Sequence, residues 1–250
     1  MELTEIVDFL DDYLHIADWE DKSMNGLQVE GRKDINKIVF AVDACMDTFH
    51  QAKSKDADML IVHHGLIWGS VGYIKGQIMK RLKYLLENEI SLYAAHLPLD
   101  AHPEIGNNVE LMRILGVRIE EPFGEYHGNA IGYMGRFDKP KKLEEINEML
   151  KQQLNVDSLV LNFGANDINN VACVSGAGTS TVPEAGQKEI DLLVTGETDH
   201  SSYHTAKEFS LNVIFAGHYA TETLGVKALM NVIRDKYDVE VEFVDVPTGL

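Results

Sequence analysis

Short apolar runs alternate with stretches of helical periodicity along the chain of 250 residues. Ile38–Val42, Met59–Val62 and Leu92–Ala95 have the length and the composition of buried strands. Helix-like stretches separate these runs, as they do in the connections between parallel strands. The pattern therefore predicts an α/β fold with mainly parallel strands.

The same arrangement occurs twice in the chain. Residues 37–65 align without a gap with residues 170–198, and an aspartate, Asp58 or Asp191, precedes the second strand of each copy. Residues 88–100 then align with residues 210–222, and both segments end in a histidine followed four residues later by an acid. We interpret the match as an internal duplication.

The segment between the copies predicts a strand at Ala130–Phe137, a helix at Lys142–Gln153 and a strand at Ser158–Leu161. No low-complexity linker divides the chain. We therefore expect two pseudo-symmetric, interlocked α/β halves, residues 1–125 and 126–250.

Polar side chains collect where the predicted strands end. In open α/β sheets the functional crevice lies outside the carboxyl ends of the strands. If the halves face each other, these ends converge on a cleft between them. The residues at or just beyond such ends are His63, His64, His96, Asp100, Glu197, His218 and Glu222.

These side chains are of the types that bind divalent metals. Imidazole and carboxylate ligands suit iron, zinc, manganese, cobalt or nickel, so the sequence does not determine the identity of the metal. No cysteine lies among them, which disfavours a closed structural zinc site. A carboxylate such as Glu222 can bridge two ions. The sequence therefore predicts a dinuclear metal cleft with two divalent ions per subunit.

Two further residues, Trp68 and His200, are candidates for contact with a substrate. Trp68 could stack on a substrate ring, although packing under the His63–His64 loop is an equal alternative. His200 follows Glu197 closely and could line the cleft. His200 and His204 have helical spacing that could bind a metal, but a third ligand is missing and a surface or pocket-lining role is favoured.

The composition limits the cellular compartment and the classes of partner that we expect. The net charge of −18 repels phosphate backbones, which makes nucleic acid an unfavourable partner. The two dispersed cysteines, Cys45 and Cys173, fit a reducing compartment. The acidic N-terminus is unlike a signal peptide, and no apolar run reaches the length of a membrane span. We expect a cytoplasmic protein.

The motifs resemble those of the Nif-three-like family, many members of which are named GTP cyclohydrolase I type 2 homologues. The resemblance covers nearly the whole chain and rests on Asn25–Gly31, His63–Trp68, His96–Asp100 with Gly106–Asn108, Thr195–Glu197 with His200, and Gly217–Glu222. The chain is too short for the extra domain of longer relatives, and the strand Gly132–Phe137 departs slightly from the usual pattern.

The resemblance implies a ligand set and an assembly. The implied metal ligands are His63, His64, Asp100, His218 and Glu222, with Glu222 bridging. His96 is not among the usual ligands, so His96 and Glu197 are candidate acid/base residues or supports that orient a ligand, the latter being favoured for His96. The resemblance also implies a homohexameric ring with the sites facing an internal cavity.

These observations suggest two functions of different classes, and a third function that ranks below both. The first is a metal-dependent hydrolase acting on a small molecule, either as a cyclohydrolase or on a phosphoester or amide. The second is an iron carrier that delivers metal to an acceptor protein during metallocofactor assembly. Some relatives in methanogenic archaea are linked to assembly of an iron-guanylylpyridinol cofactor. The third is a non-catalytic scaffold.

Overall fold

The computed structural model describes residues 1–250 and contains two compact units. Unit 1 comprises Met1–Leu99 and Val226–Val246, and unit 2 comprises Asp100–Gly225 and Pro247–Leu250. The chain thus passes between units three times, after Leu99, Gly225 and Val246. The predicted boundary at residue 125 lies inside the strand Arg118–Tyr126. This strand belongs to the second unit, which begins directly after Leu99.

The regular elements follow one another along the chain. Those up to Asp100 are α1 (Leu3–Tyr13), β1 (Gly26–Val29), β2 (Lys37–Asp43), α2 (Met46–Ser54), β3 (Met59–His64), α3 (Gly76–Glu87), β4 (Ser91–Ala94) and α4 (Leu97–Asp100). The remainder are α5 (Asn107–Leu115), β5 (Arg118–Tyr126), β6 (Asn129–Lys142), α6 (Leu143–Leu154), β7 (Leu159–Leu161), β8 (Asp167–Val174), α7 (Val182–Gln187), β9 (Leu192–Thr195), α8 (His200–Glu208), β10 (Asn212–Phe215), α9 (His218–Lys236) and β11 (Glu240–Phe243).

Unit 1 contains a five-stranded sheet in the order β1-β4-β3-β2-β11. All neighbours are parallel except β1 and β4. The central strands β3 and β4 are buried along almost their whole length, as their continuous apolar sequences predict. The parallel strands end at one edge, where His63, His64 and His96 follow the apolar runs.

Unit 2 contains a six-stranded sheet in the order β5-β6-β8-β9-β10-β7. Only β8, β9 and β10 run parallel to one another. The prediction of mainly parallel strands is therefore wrong for this unit, because the hairpin β5–β6 and the strand β7 pair antiparallel. Gly135 allows the hairpin to close, since a Cβ there would lie 2.0 Å from the Arg118 carbonyl oxygen.

The two aligned segments form the same local structure in their respective units. Both consist of three parallel strands, β2-β3-β4 in one and β8-β9-β10 in the other. Asp58 accepts hydrogen bonds from the backbone N–H groups of Asn36 and Lys37, and Asp191 accepts the same pair from Asn169 and Asn170. The aligned aspartates therefore anchor equivalent backbone positions of β2 and β8.

The predicted elements of the middle segment are also present. The expected strand at Ala130–Phe137 lies within β6, the helix at Lys142–Gln153 is α6, and the short strand at Ser158–Leu161 is β7. No helix of the structure has both the length and the apolar character that a bilayer crossing requires.

Candidate metal centre

Three histidines of unit 1 have one ring nitrogen held by an oxygen. Nδ1 of His63 lies 2.9 Å from the carbonyl oxygen of Ala95, and Nδ1 of His64 lies 2.8 Å from Asp43 Oδ1. Nδ1 of His96 lies 3.0 and 3.1 Å from the two oxygens of Asp21. A carbonyl or carboxylate oxygen only accepts, so each Nδ1 carries a proton and donates it to that oxygen.

These histidines, which we call the imidazole set, lie close together. The ring centroids of His63 and His64 are 4.7 Å apart, and that of His96 is 5.1 and 5.6 Å from them. One nitrogen from each ring lies within 4.8 Å of the others. Neighbouring residues of a strand point to opposite faces, but His64 is the last residue of β3, so its side chain is not bound by that alternation.

Asp21 is the most heavily bonded anchor in the imidazole set. Its side chain is only 3% exposed and accepts hydrogen bonds from the backbone N–H groups of Ser23 and Leu97 and from the Asn25 amide, besides His96. Burial raises the pKa of Asp21, but the hydrogen bond and the charge of His96, with the Asn25 and Ser23 donors, outweigh burial and lower it to about 2. Asp21 is therefore a carboxylate throughout the neutral range.

The loop that follows His64 is held by Gln28. The side-chain oxygen of Gln28 accepts from the N–H groups of Leu66, at 2.6 Å, and Ile67, at 3.1 Å. Trp68 donates its indole N–H to the Gly65 carbonyl at 3.0 Å. The Trp68 ring lies 5.0 Å from that of His96 and is 44% exposed, so it borders the imidazole set and also reaches solvent.

Unit 2 brings together a second group, the carboxylate set, which consists of Asp100, His218 and Glu222. One oxygen of Asp100 lies within 4.8 Å of one oxygen of Glu222, and both residues are buried. His218 begins α9 and Glu222 lies one turn along it, which brings His218 Nε2 within 3.1 Å of Glu222 Oε1. Two buried carboxylates so close need a proton or a cation to offset their repulsion.

Asp100 is oriented by neutral donors. Its Oδ1 accepts from Ser175 Oγ at 2.8 Å and from Asn107 Nδ2 at 2.9 Å. The Asn107 side-chain oxygen accepts from the N–H of Gly225 in α9 at 2.7 Å. One buried asparagine therefore joins Asp100 to the helix that carries Glu222.

His218 lies between two acids. Its Nδ1 is 3.3 Å from Glu197 Oε2, in addition to the Glu222 contact of its Nε2. Burial lowers the pKa of His218, but the hydrogen bonds and the negative charges of Glu222 and Glu197 outweigh burial and raise it to about 9. Glu197, a candidate acid/base or supporting residue, thus contacts a predicted ligand directly.

Gly176 completes the surroundings of Glu222. Its φ of +60° is in the left-handed region, and a Cβ at this position would lie 2.2 Å from Glu222 Oε1 and 3.2 Å from His218 Nε2. The Gly176 carbonyl accepts from the N–H groups of Gly196 and Glu197. The backbone therefore leaves room for the carboxylate only because no side chain is present.

Both sets fit divalent metals. In the imidazole set, an oxygen holds Nδ1 of each ring, which is the arrangement that metal-binding histidines usually show. The carboxylate set presents buried anionic oxygens, one of which is already oriented by Ser175 and Asn107. The chain thus contains groups of histidines and carboxylates that could hold a metal ion.

Comparison with known proteins agrees with the motifs. The Duf34/NIF3 family (NGG1p interacting factor 3) matches residues 1–249. The chain belongs to this family. The "GTP cyclohydrolase 1 type 2 homolog" of Pyrococcus abyssi is 55% identical, with all of both chains covered. The resemblance inferred from the sequence is therefore confirmed.

Solved structures of the NIF3 type share the fold. TTHA1606 from Thermus thermophilus is 42% identical, with a TM-score of 0.93 and all of both chains covered. Reduced HcgD from Methanocaldococcus jannaschii is 29% identical, with a TM-score of 0.86 over 98% of each chain. The mixed α/β architecture with two sheets is that of the NIF3 proteins.

The remaining candidate of this NIF3 chain, His200, lines a separate cavity in unit 2. The cavity has a volume of about 430 Å³ and is bordered by Leu159, Leu161, Thr198, Asp199, His200, Tyr203 and His204. The rings of His200 and His204 are 6.5 Å apart. The structure therefore places His200 and His204 together at the border of this cavity.

Asp199 caps the helix that borders this cavity, and its removal should destabilise that helix. Asp199 Oδ1 accepts from the Ser202 N–H at 2.8 Å, so we expect Asp199→Ala to cost about 1 kcal/mol of helix stability. Hydrogen exchange of the first turn of α8 measures this. Asp199→Asn should retain most of the stability, since asparagine also caps helices and solvent screens the exposed charge.

The same cap should respond to acid. Hydrogen bonds from the side chains of Ser201 and Thr179 lower the pKa of Asp199 from 3.8 to about 2. The stabilisation is then complete above the ordinary value and is lost as the pH falls through about 2. Asp199→Asn should lack this dependence. Equal acid sensitivity in the wild type and in Asp199→Asn would count against the cap as its source.

Proposed function

We propose that this NIF3 protein holds two divalent metal ions and uses them to hydrolyse a small molecule. The proposed ligands are those that the family motifs imply, His63, His64, Asp100, His218 and Glu222. The observation that carries the proposal is the orientation of the imidazole set, in which an oxygen holds Nδ1 of each closely spaced ring.

The ligand types support ions of the iron, zinc, manganese, cobalt and nickel group. Buried carboxylates gain from a cation because it offsets the repulsion between Asp100 and Glu222. His218 is protonated at neutral pH without a metal, so it must lose a proton when it becomes a ligand. Glu222 is the residue that we propose bridges the ions.

Hydrolysis is the chemistry that such a pair of ions supports best, since bound divalent metals lower the pKa of water and polarise carbonyl or phosphoryl oxygens. The residues of the chain would hold and orient the substrate. Trp68 offers an exposed aromatic ring beside His96, and Glu197 can accept or return a proton at His218 Nδ1. The name of the Pyrococcus abyssi relative favours a purine nucleotide as the first substrate to test.

Metal content tests the ligand assignment. We expect the wild-type chain, purified without chelators or an affinity tag, to contain about two divalent ions by elemental analysis. His63→Ala with His218→Ala should lose most of this metal, because one ligand is removed from each set. His50→Ala is the matched control, since His50 is an exposed histidine whose ring packs on Tyr84. An unchanged metal content in the double variant would exclude the assignment.

Turnover tests the hydrolase. We expect release of product from GTP, or from a phosphoester or amide in a broader panel, to saturate with substrate and to stop in Glu222→Ala. Circular dichroism must show that the fold of the variant is intact. Activity that persists in Glu222→Ala would show that another site, or a contaminant, is responsible.

Metal delivery is the second candidate, and the structural similarity to HcgD favours testing it. A carrier should transfer iron to a chelator or to an apo-acceptor faster than the carrier unfolds. It should also show no turnover of any compound in the substrate panel. Slow exchange together with turnover would favour the hydrolase. The two functions therefore separate on the rate of metal release.

A further inference from the structure

We propose that the cavity beside α8 binds an uncharged, planar heteroaromatic ring, and that this ring is part of the small molecule that the protein hydrolyses. The second half of the inference rests on the proposed function, whereas ring binding itself does not. The cavity lies within unit 2, between β7 and the first turns of α8. Its volume of about 430 Å³ is within the range of roughly 300–1,000 Å³ that is usual for small-molecule pockets.

The cavity borders the edge of the sheet at which parallel strands end. Leu159 of β7 pairs with Phe215, the last residue of β10, and Thr198 follows the last residue of β9 by three positions. In α/β sheets, ligands bind outside the carboxyl ends of such strands. Glu197 directly precedes Thr198, and its Oε2 lies 3.3 Å from Nδ1 of His218, a proposed metal ligand. The cavity therefore adjoins the proposed metal centre through one residue of unit 2.

Apolar and aromatic side chains form the walls of the cavity. Leu159 and Leu161 are two positions apart in β7, so they point to the same face of the strand. Leu159 is 52% exposed and Tyr203 is 40% exposed, so both present apolar surface that a ligand can cover. Phe163 contacts the Tyr203 ring edge-to-face at a centroid distance of 5.1 Å and restrains it. These walls suit a planar ring that stacks on Tyr203.

Two histidines favour a heteroaromatic ring over a hydrocarbon ring. The centroids of Tyr203 and His204 are 5.3 Å apart, and those of His204 and His200 are 6.5 Å apart. A neutral imidazole has one N–H donor and one nitrogen acceptor, which can pair with the nitrogen or carbonyl groups of a ring. Asp199, whose pKa is about 2, borders the same cavity as a carboxylate and repels phosphate. The cavity therefore suits the uncharged ring of a substrate better than a phosphate group.

Guanosine binding to the full chain tests the inference, because guanosine has a planar heteroaromatic ring and no phosphate. We expect saturable binding in equilibrium dialysis, and shifts of the methyl signals of Leu159 and Leu161 in NMR spectra. Tyr203→Ala should weaken binding roughly 5–150-fold, since the stacking of a base on an aromatic side chain has effects of this size. Tyr203→Phe keeps the ring and should retain the affinity of the wild type.

Tyr126→Ala is the matched control in unit 2. The Tyr126 ring also packs edge-to-face on a histidine, His127, at a centroid distance of 4.3 Å, but it does not border the cavity. This variant should bind guanosine as tightly as the wild type does. Ribose 5-phosphate has a phosphate and lacks the ring, so it should leave the methyl signals of Leu159 and Leu161 unchanged.

The link between the cavity and hydrolysis has its own measurement. If the bound ring belongs to the substrate, Tyr203→Ala should raise the KM for turnover more than it lowers kcat, because stacking on Tyr203 binds the substrate away from the reacting bond. Glu222→Ala should stop turnover and still bind guanosine. A Tyr203→Ala protein that binds guanosine weakly but has an unchanged KM would overturn the link.

The outcomes separate this inference from the proposed function. Absence of guanosine binding, or equal weakening by Tyr203→Ala and Tyr126→Ala, would overturn the ring site, while metal content and turnover decide the proposed function independently. Methyl signals of Leu159 and Leu161 that shift with protein concentration and not with guanosine would show that a second copy of the chain covers the cavity. That result would also overturn the ring site.

Discussion

Gly176→Ala is expected to abolish metal binding by the carboxylate set. The added Cβ would lie 2.2 Å from Glu222 Oε1, a distance that no real Cβ contact tolerates, so the carboxylate must move. The backbone cannot easily yield, because the Gly176 carbonyl and N–H are both hydrogen-bonded. We expect the metal content measured by elemental analysis to fall well below about two ions per chain, because Glu222 is the proposed bridging ligand.

The left-handed backbone at Gly176 adds a cost that needs its own control. An alanine with φ near +60° costs roughly 1–2 kcal/mol whatever surrounds it. Gly116→Ala has the same penalty, since its φ is +71°, but a Cβ there meets nothing within 4 Å. Gly116→Ala should lose stability and keep its metal. A Gly176→Ala protein with undiminished metal content would show that Glu222 is not a ligand.

Asp58→Ala is expected to cause the largest loss of stability. Asp58 is buried, accepts from the N–H groups of Asn36 and Lys37, and lies 2.9 Å from the Arg32 guanidinium. Removing the carboxylate leaves these donors without their acceptor, and we expect a loss of about 3 kcal/mol in the free energy of unfolding. Denaturation of the metal-free protein by urea, followed by circular dichroism, measures this.

Hydrogen exchange locates the effect. Asp58→Ala should speed exchange at the start of β2, and Asp191→Ala should do the same at β8, where Asp191 holds Asn169 and Asn170. The loss at Asp191 should be smaller, because Asp191 is less buried than Asp58. Asp8→Ala, on the exposed face of α1, should change stability by less than about 0.5 kcal/mol. Equal losses at Asp8 and Asp58 would contradict the anchoring role.

The repeated pattern of apolar runs was sufficient to predict the strands of both copies. The burial of β3, β4, β9 and β10 follows from apolar sequences that admit no polar face. The hairpin β5–β6 was harder to foresee, because β5 carries four charged residues and only Phe123 and Gly124 are buried. A strand with so few apolar residues shows no clear alternation of apolar and polar positions, so its sequence does not predict a strand.

The anchors of the candidate ligands escaped the sequence reasoning. Asp21 lies 75 residues before His96, and Ser175 lies 75 residues after Asp100. Neither belongs to a periodic pattern, and the contact that matters is made only when distant segments fold together. The contact between Asp43 and His64 was easier to predict, since Asp43 ends β2 next to the strand that carries His64.

The amino-acid sequence by itself determined which side chains could bind metal and that they follow strand ends, because residue type and strand period are local properties. It also determined the family, through motifs spread over the chain. Only the tertiary structure decided which imidazole nitrogen of each histidine donates to an oxygen. That depends on oxygens of Asp21, Asp43 and Ala95, whose distances to the rings are set by the packing of separate segments.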